Sequence, residues 1–331
     1  MKVAERALML DMARKFYSKD WIIKLIDFMA TLEMNTLQLH FSENEGFRIE
    51  CETYPSIVSE QHLSKVEIRE IIDHAKANRI QIIPDFDTPG HQKLILEHFP
   101  QYKLSGDERA LDITNPEAIN FVKKLYQEYA ELFHESQYFH IGADEFIHFD
   151  EVEKYPQLIA DAREKYGEQA SGMEGYVAFT NEIAAYVKEL GFIPRAWNDG
   201  FYRQNRHSLV ELSRDIEICY WTKWDKNMAE AQTFIDKGFK LINYCDNYLY
   251  YVLGENAGYS YPNEQKILDE WTINRFPHGQ LLDDAAMQSV IGVSFAIWSD
   301  RPKAQTEAEV FRGIQGPLRA MMQVLKEAER S

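Results

Sequence analysis

Two carboxylates, Asp144 and Glu145, follow one another near the end of the segment 139–146, FHIGADEF. The apolar residues before them read as a buried strand, so the pair stands where that strand runs out. Neighbouring side chains on a strand point to opposite faces. Two such groups do not straddle one bond as a matched acid and nucleophile. One fits the work of a general acid while the other does a different job nearby. Glycoside cleavage divides its labour in this way when the sugar's own 2-acetamido oxygen is the nucleophile. Glu145 then protonates the glycosidic oxygen and Asp144 holds the acetamido N–H, with a tyrosine hydroxyl completing the grip on the amide oxygen. A helix N-cap or a metal-ligand pair accounts equally well for an isolated Asp-Glu at a strand end.

Other chemistry-bearing residues share this placement. Apolar and β-branched runs at 7–11, 36–42, 80–87, 138–144, 192–198, 216–221, 240–245 and 292–299 predict eight strands. Just past or at their ends stand Arg14; His40 and Glu43; Asp85, Asp87 and His91; His140; Trp197 and Asp199; Trp221, Trp224 and Asp225; Asp246 and Tyr248; and Trp298 and Asp300. Indole faces beside carboxylates suit a pyranose ring, whose C–H faces stack while its hydroxyls bond to acids and arginine. Trp197, Trp221 and Trp298 therefore predict a sugar-binding wall, whereas Trp21 and Trp271 read as packing residues.

Amphipathic stretches at 19–33, 65–78, 116–134, 172–190, 227–237 and 304–328 supply helices between the strands. Asn115 and Pro116 give the third a cap and a first-turn proline. Eight strands alternating with helices predict a single α/β domain over residues 1–331, a closed (β/α)8 barrel. No GxGxxG turn favours an open doubly wound sheet. The longer segments 43–62, 88–112, 146–170 and 246–288 are expected as loops over one mouth of the barrel.

Composition narrows the function classes. The 331 residues, 45% of them hydrophobic, suffice for one large core. Net charge is −17, from 53 acids against 36 bases, with no basic stripe; no nucleic-acid partner is expected. Cys51, Cys219 and Cys245 fall in no CxxC or zinc-like spacing, so no disulfide scaffold and no metal are expected. The start, MKVAERALMLDMARKFY, reads as neither a signal peptide nor a membrane span. That predicts a cytoplasmic chain as written, or an exported one if a leader has been removed.

HIGADE at 140–145 resembles the His-x-Gly-x-Asp-Glu signature of family 20 glycoside hydrolases, the β-N-acetylhexosaminidases. LMLDMARKFY, LQLHFSENEGFRIE, IIPDFDTPGH, ALDITNPE, RAWNDG, NYLYY and AIWSD extend the likeness from about Ala7 to Asp300, most closely toward the dispersin branch. The resemblance implies a retaining hydrolase without cofactor, acting on carbohydrate bearing β-linked GlcNAc or GalNAc, with GlcNAc favoured. Poly-N-acetylglucosamine, chitobiose, and milk or mucin oligosaccharides are its candidate substrates. It makes Glu145 the general acid/base, Asp144 the acetamido-orienting residue and Tyr248 the partner of the acetamido oxygen. Arg14 matches the residue that grips the 3- and 4-hydroxyls, and Trp197, Trp221 and Trp298 match the aromatic pocket. His91, His140, Asp85, Asp225, Tyr250 and Asp300 complete the expected substrate-binding set. Departures from the family pattern are Tyr250 and Asp85, where Asp and Glu are usual, Ala143 in place of Gly, and Asp300 in place of Glu.

Two readings compete. His40, Asp85, His91, His140 and Asp144 could serve a metal-dependent barrel hydrolase, but that leaves Tyr248 and the three tryptophans without a task. A non-catalytic sugar-binding module would keep the aromatic wall and has no need of both acids.

Overall fold

The computed structural model describes residues 3–330. Eight parallel strands close into a barrel: β1 (Glu5–Asp11), β2 (Thr36–Glu43), β3 (Gln81–Thr88), β4 (Tyr138–Gly142), β5 (Ile193–Trp197), β6 (Glu217–Tyr220), β7 (Leu241–Asn243) and β8 (Val290–Trp298). The closing seam pairs β1 with both β2 and β8. All eight lie where the apolar runs place them.

Helices α1 (Lys19–Thr31), α2 (Lys65–Ala77), α3 (Pro116–Leu132), α4 (Met173–Glu189), α5 (Ala231–Asp236), α6 (Glu264–Glu270) and α7 (Glu307–Arg330) return the chain between strands and follow the last. Their starts are written locally. Ser64 and Glu67 form a reciprocal capping box on α2, and Asn115 accepts from the Glu117 N–H at the head of α3. Buried stripes such as Phe121, Val122, Leu125, Tyr126 and Tyr129 on α3 face the barrel.

Four connections differ from expectation, and two of them, the expected loops 88–112 and 146–170, carry helices at Lys93–His98 and Pro156–Tyr166. Between β5 and β6 no helix forms; irregular turns carry Asn198, Asp199 and Arg203. The segment 246–288 is not a plain loop. It makes a helical turn at Asp246–Leu249, a short strand Tyr250–Val252 paired in parallel with β8, and then α6. No helix among the described residues is long and apolar enough to cross a membrane.

The lumen is unusually charged for a barrel core, which branched apolar residues usually fill. Following the strand register, Asp11 lies beside His40, His40 beside Asp85, Asp85 beside His140, His140 beside Arg195 and Arg195 beside Glu217. All six are buried. Because the strands tilt, this row descends from the C-terminal end of β1 to the first residue of β6. At its foot Arg195 holds Glu5 through two hydrogen bonds of 2.8 and 2.7 Å and Glu217 at 3.0 Å.

Candidate active site

β4 ends at Gly142, and the backbone then turns sharply. Gly142, Ala143 and Glu145 have φ of 78°, 72° and 42°. Left-handed conformations cost an alanine or glutamate energy and cluster at functional sites. They also overturn the expectation that Asp144 and Glu145 diverge as strand neighbours. Both carboxylates turn toward one imidazole: His91 Nε2 lies 3.3 Å from Asp144 Oδ2 and 3.4 Å from Glu145 Oε2. His91 itself has a φ of 56°.

These residues line a pocket of about 130 Å³ with Arg14, Glu43, Trp197, Trp221, Tyr250, Tyr259, Trp298 and Asp300. The aromatic wall expected from three strand ends is present, with a fourth ring added. Trp221 and Tyr250 lie parallel at 6.1 Å between centroids, and Trp298 stands 6.0 Å from both Trp197 and Tyr250. Asp144 Oδ1, the Tyr250 hydroxyl and Trp298 Nε1 are buried without a hydrogen-bond partner among the described residues. Buried polar groups are rarely left so. Here one acceptor, Asp144 Oδ1, and three donors, those of Tyr250, Trp197 and Trp298, border one small cavity.

At one end of the pocket Arg14 is clamped. It donates to Asp11 Oδ2 at 2.9 Å and Glu43 Oε1 at 2.7 Å, and its guanidinium lies 5.6 Å from the Trp298 ring. Asp300 accepts from Asn256 Nδ2 at 3.1 Å. Glu43 also pairs with His91 Nδ1; burial pushes its carboxyl up, but His91 and Arg14 hold it at about 2.

Glu145 is held below the ordinary carboxylate range. Burial pushes it up, and the contact and charge of His91 more than offset that. Asp199 behaves oppositely. Burial, then the charges of Asp144 and Glu145, push it up to about 7. Its two oxygens accept from the Glu145 N–H at 3.0 Å and from Trp221 Nε1 at 3.1 Å. Beside the aromatic wall, Tyr259 donates to Asp246 Oδ2 at 2.9 Å, and burial drives Asp246 up to about 6.

Several expected site residues stand elsewhere. Tyr248 lies outside the pocket: its hydroxyl donates to Glu270 at 3.2 Å beside a larger groove, because the helical turn carries it away before the strand aims Tyr250 inward. Asp225 accepts from Arg203 and lines neither cavity. Asp85 and His140 are fully buried beneath the floor. There Asp85 Oδ2 accepts from Gln38 Nε2 at 2.7 Å and His40 Nδ1 at 2.9 Å, and its Oδ1 stands 3.1 Å from His140 Nδ1. Glu43 and Asp199 were visible as strand-end acids but without a role. Tyr259 had no signal, since it belongs to an irregular stretch without periodicity.

Three histidine–carboxylate groups bring potential ligand atoms within 4.8 Å: His40–Asp85–Asp87, Glu43–Asp87–His91 and His91–Asp144–Glu145. Burial alone would lower His40, yet Asp85 and Asp87 raise it to about 10, and Glu43 and Asp144 likewise raise His91. In each group the carboxylates favour the charged form of the imidazole they surround.

Residues 4–312 match the family model of the glycosyl hydrolase family 20 catalytic domain. Among curated relatives, the lacto-N-biosidase of Bifidobacterium bifidum is 29% identical over 333 residues, covering 98% of this chain and 28% of that protein. Beta-hexosaminidase subunit A1 of Dictyostelium discoideum is 30% identical over 249 residues, covering 72% of this chain and 44% of that protein. The chain thus spans less than half the length of either relative. Among solved structures, Dispersin B superposes with a TM-score of 0.78 at 24% identity, over 97% of this chain and 99% of that one. An exo-β-N-acetylglucosaminidase from Vibrio harveyi gives 0.78 at 21% identity, over 98% and 54%.

Proposed function

The chain belongs to glycosyl hydrolase family 20, and we propose that it hydrolyses β-linked N-acetylhexosamine, GlcNAc in the first place, with the substrate's acetamido oxygen as nucleophile. One observation carries this reading: Asp144 Oδ1 and the Tyr250 hydroxyl, an unpaired acceptor and an unpaired donor, border the same small pocket as Glu145. An N-acetyl group needs one acceptor for its N–H and one donor for its C=O.

Asp144 accepts the acetamido N–H and Tyr250 donates to its oxygen, so Tyr250 takes the part that spacing assigned to Tyr248. The amide oxygen attacks C1 while the C1–O bond breaks, and the leaving oxygen takes the proton of Glu145. Asp144 stabilises the positive charge of the oxazolinium ring that results. Glu145, now a carboxylate, deprotonates a water that opens the ring at C1, and two inversions retain the anomeric configuration. Trp197, Trp221 and Trp298 enclose the sugar, while Arg14 and Asp300 meet its outer hydroxyls.

The test is hydrolysis of p-nitrophenyl N-acetyl-β-glucosaminide, followed by NMR for the first-formed anomer, with and without a thiazoline mimic of the oxazolinium. Release of the β-anomer and inhibition by the thiazoline are expected. Release of the α-anomer overturns the mechanism.

A further inference from the structure

Outside the sugar pocket, the side chain of Arg203 is only 3% exposed and stands where three connections at the barrel mouth meet. We propose that Arg203 is a positioning residue for the acid step: it holds the segment after Glu145, the Asp199 turn and the stretch ending at Asp225 in one frame, so that Glu145 reaches the leaving oxygen. The inference rests on the hydrolase reading above and adds to it a residue that touches no substrate.

The guanidinium has a different hold on each connection. Nη1 donates to the Asp199 carbonyl oxygen at 3.3 Å. Nη2 donates to Asp150 Oδ1 at 3.0 Å and also pairs with Asp225. The guanidinium carbon lies 5.6 Å from the Phe149 ring. Phe149 and Asp150 belong to the segment that leaves Glu145, Asp199 follows β5, and Asp225 follows β6 beyond Trp221 and Trp224. The path to the acid is two bonds long. Arg203 fixes the Asp199 carbonyl, and the Asp199 carboxylate accepts the Glu145 N–H at 3.0 Å.

The same frame is tight on its other sides. A Cβ at Gly200 would collide with Tyr176 Oη and Phe149 Cζ, so the Asp199 turn packs directly on the segment after β4. Tyr176 in turn donates to the Ala143 carbonyl oxygen, beside Asp144. Asn227 links the remaining edge: its N–H donates to Asp225 Oδ1 at 2.9 Å and its carbonyl accepts from the Gln204 N–H at 2.8 Å.

No neighbour replaces the cation. Asp150 and Asp225 both bond to Nη2, so without it two carboxylates face each other across the gap. Arg206 spends its fork on Glu153 and on the Asp150 backbone oxygen, not on the Asp150 carboxylate. Arg203 lines neither the sugar pocket nor the groove beside it. It borders a separate cavity of about 240 Å³ with Phe201, Tyr202 and Arg206. Any effect on turnover therefore passes through its partners, where a misplacement on the order of 1 Å costs about 100-fold.

The experiment measures kcat and KM for a β-linked GlcNAc disaccharide and for p-nitrophenyl N-acetyl-β-glucosaminide in wild type, Arg203→Lys and Arg203→Ala, with thermal melts to verify folding. Lysine keeps the charge at one point and does not span the partners of both Nη atoms. The disaccharide needs the proton of Glu145, whereas nitrophenolate leaves without one. In Arg203→Lys the ratio of disaccharide kcat to aryl-glycoside kcat is expected to fall about tenfold. In Arg203→Ala, millimolar guanidinium entering by the separate cavity restores disaccharide turnover, and urea at the same concentration does not. An unchanged ratio in a folded lysine variant overturns the positioning role, as does a folded alanine variant that guanidinium leaves unaltered. Where neither variant folds, Asp225→Asn loosens the fork from the β6 side alone and the same ratio decides. A wild type inert toward both substrates instead overturns the hydrolase reading, and this inference with it.

Discussion

The backbone N–H of Glu145 donates to Oδ2 of Asp199 at 3.0 Å, tying the residue proposed as general acid to the end of the neighbouring strand. Since Oδ1 of the same carboxylate takes the Trp221 indole N–H, one residue positions both Glu145 and a wall of the pocket. Asp199→Asn turns one acceptor into a donor facing a donor. Activity is expected to drop about 10- to 100-fold, mainly in kcat. Burial and the charges of Asp144 and Glu145 push Asp199 up to about 7 from an ordinary 3.8. A raised carboxyl contributes stability that is full below 3.8 and lost as pH rises through 7. Melting curves should therefore move in favour of Asp199→Asn between pH 5 and pH 8 while its activity stays low. A variant destabilised equally at both values would mark Asp199 as a packing residue only.

Tyr250→Phe and Tyr248→Phe should part company. The first removes the unpaired hydroxyl beside the acetamido site and is expected to cost on the order of 100-fold in kcat, with weaker thiazoline inhibition. Tyr248 reaches only Glu270, and its loss should leave thiazoline affinity within about twofold. Equal effects would return the role to Tyr248.

Glu145→Gln should lower turnover of a disaccharide by about 10²- to 10⁴-fold and spare a p-nitrophenyl substrate much of that, because nitrophenolate leaves without protonation. Similar losses on both substrates would contradict the general-acid assignment.

His91 pulls Glu145 below the usual range. His91→Asn should therefore raise the pKa of the acid and move the alkaline limb of the kcat/KM profile upward. A limb that stays put would show that another group sets it.

Beneath the site, His40 rises from 6.5 to about 10, while burial would raise Asp85 but His140 and His40 hold it well below 3.8. The His40 contribution is full below 6.5 and lost as pH climbs through 10; that of Asp85 is present above 3.8 and lost as pH falls through its depressed value. The Tm gap between wild type and His40→Gln should accordingly shrink between pH 6.5 and pH 10. A constant gap would exclude a charged His40.

The barrel was legible in the sequence because each strand is a short apolar run and each main helix carries a 3.6-residue stripe. Trp197, Trp221 and Trp298 were legible because strand ends converge at one mouth. Local backbone turns were not. The left-handed residues around Asp144 bring together two carboxylates that strand alternation sets apart. The turn at Asp246–Leu249 leaves Tyr248 outside the small pocket and brings Tyr250 to line it. Asp225 lies outside both cavities for another reason: nothing in its neighbourhood announces Arg203, which pairs with it from the β5–β6 connection.

The row from Asp11 to Glu217 also constrains how the barrel assembles. A slip of one residue between two neighbours among β1 to β6 would turn one side's charges out of the lumen toward the apolar helix layer and strand their partners inside. Mispaired sheets thus leave buried charges uncompensated, and the native register is the arrangement in which all six find neighbours. The groups beneath the sugar pocket double as a proofreading code for closing the sheet.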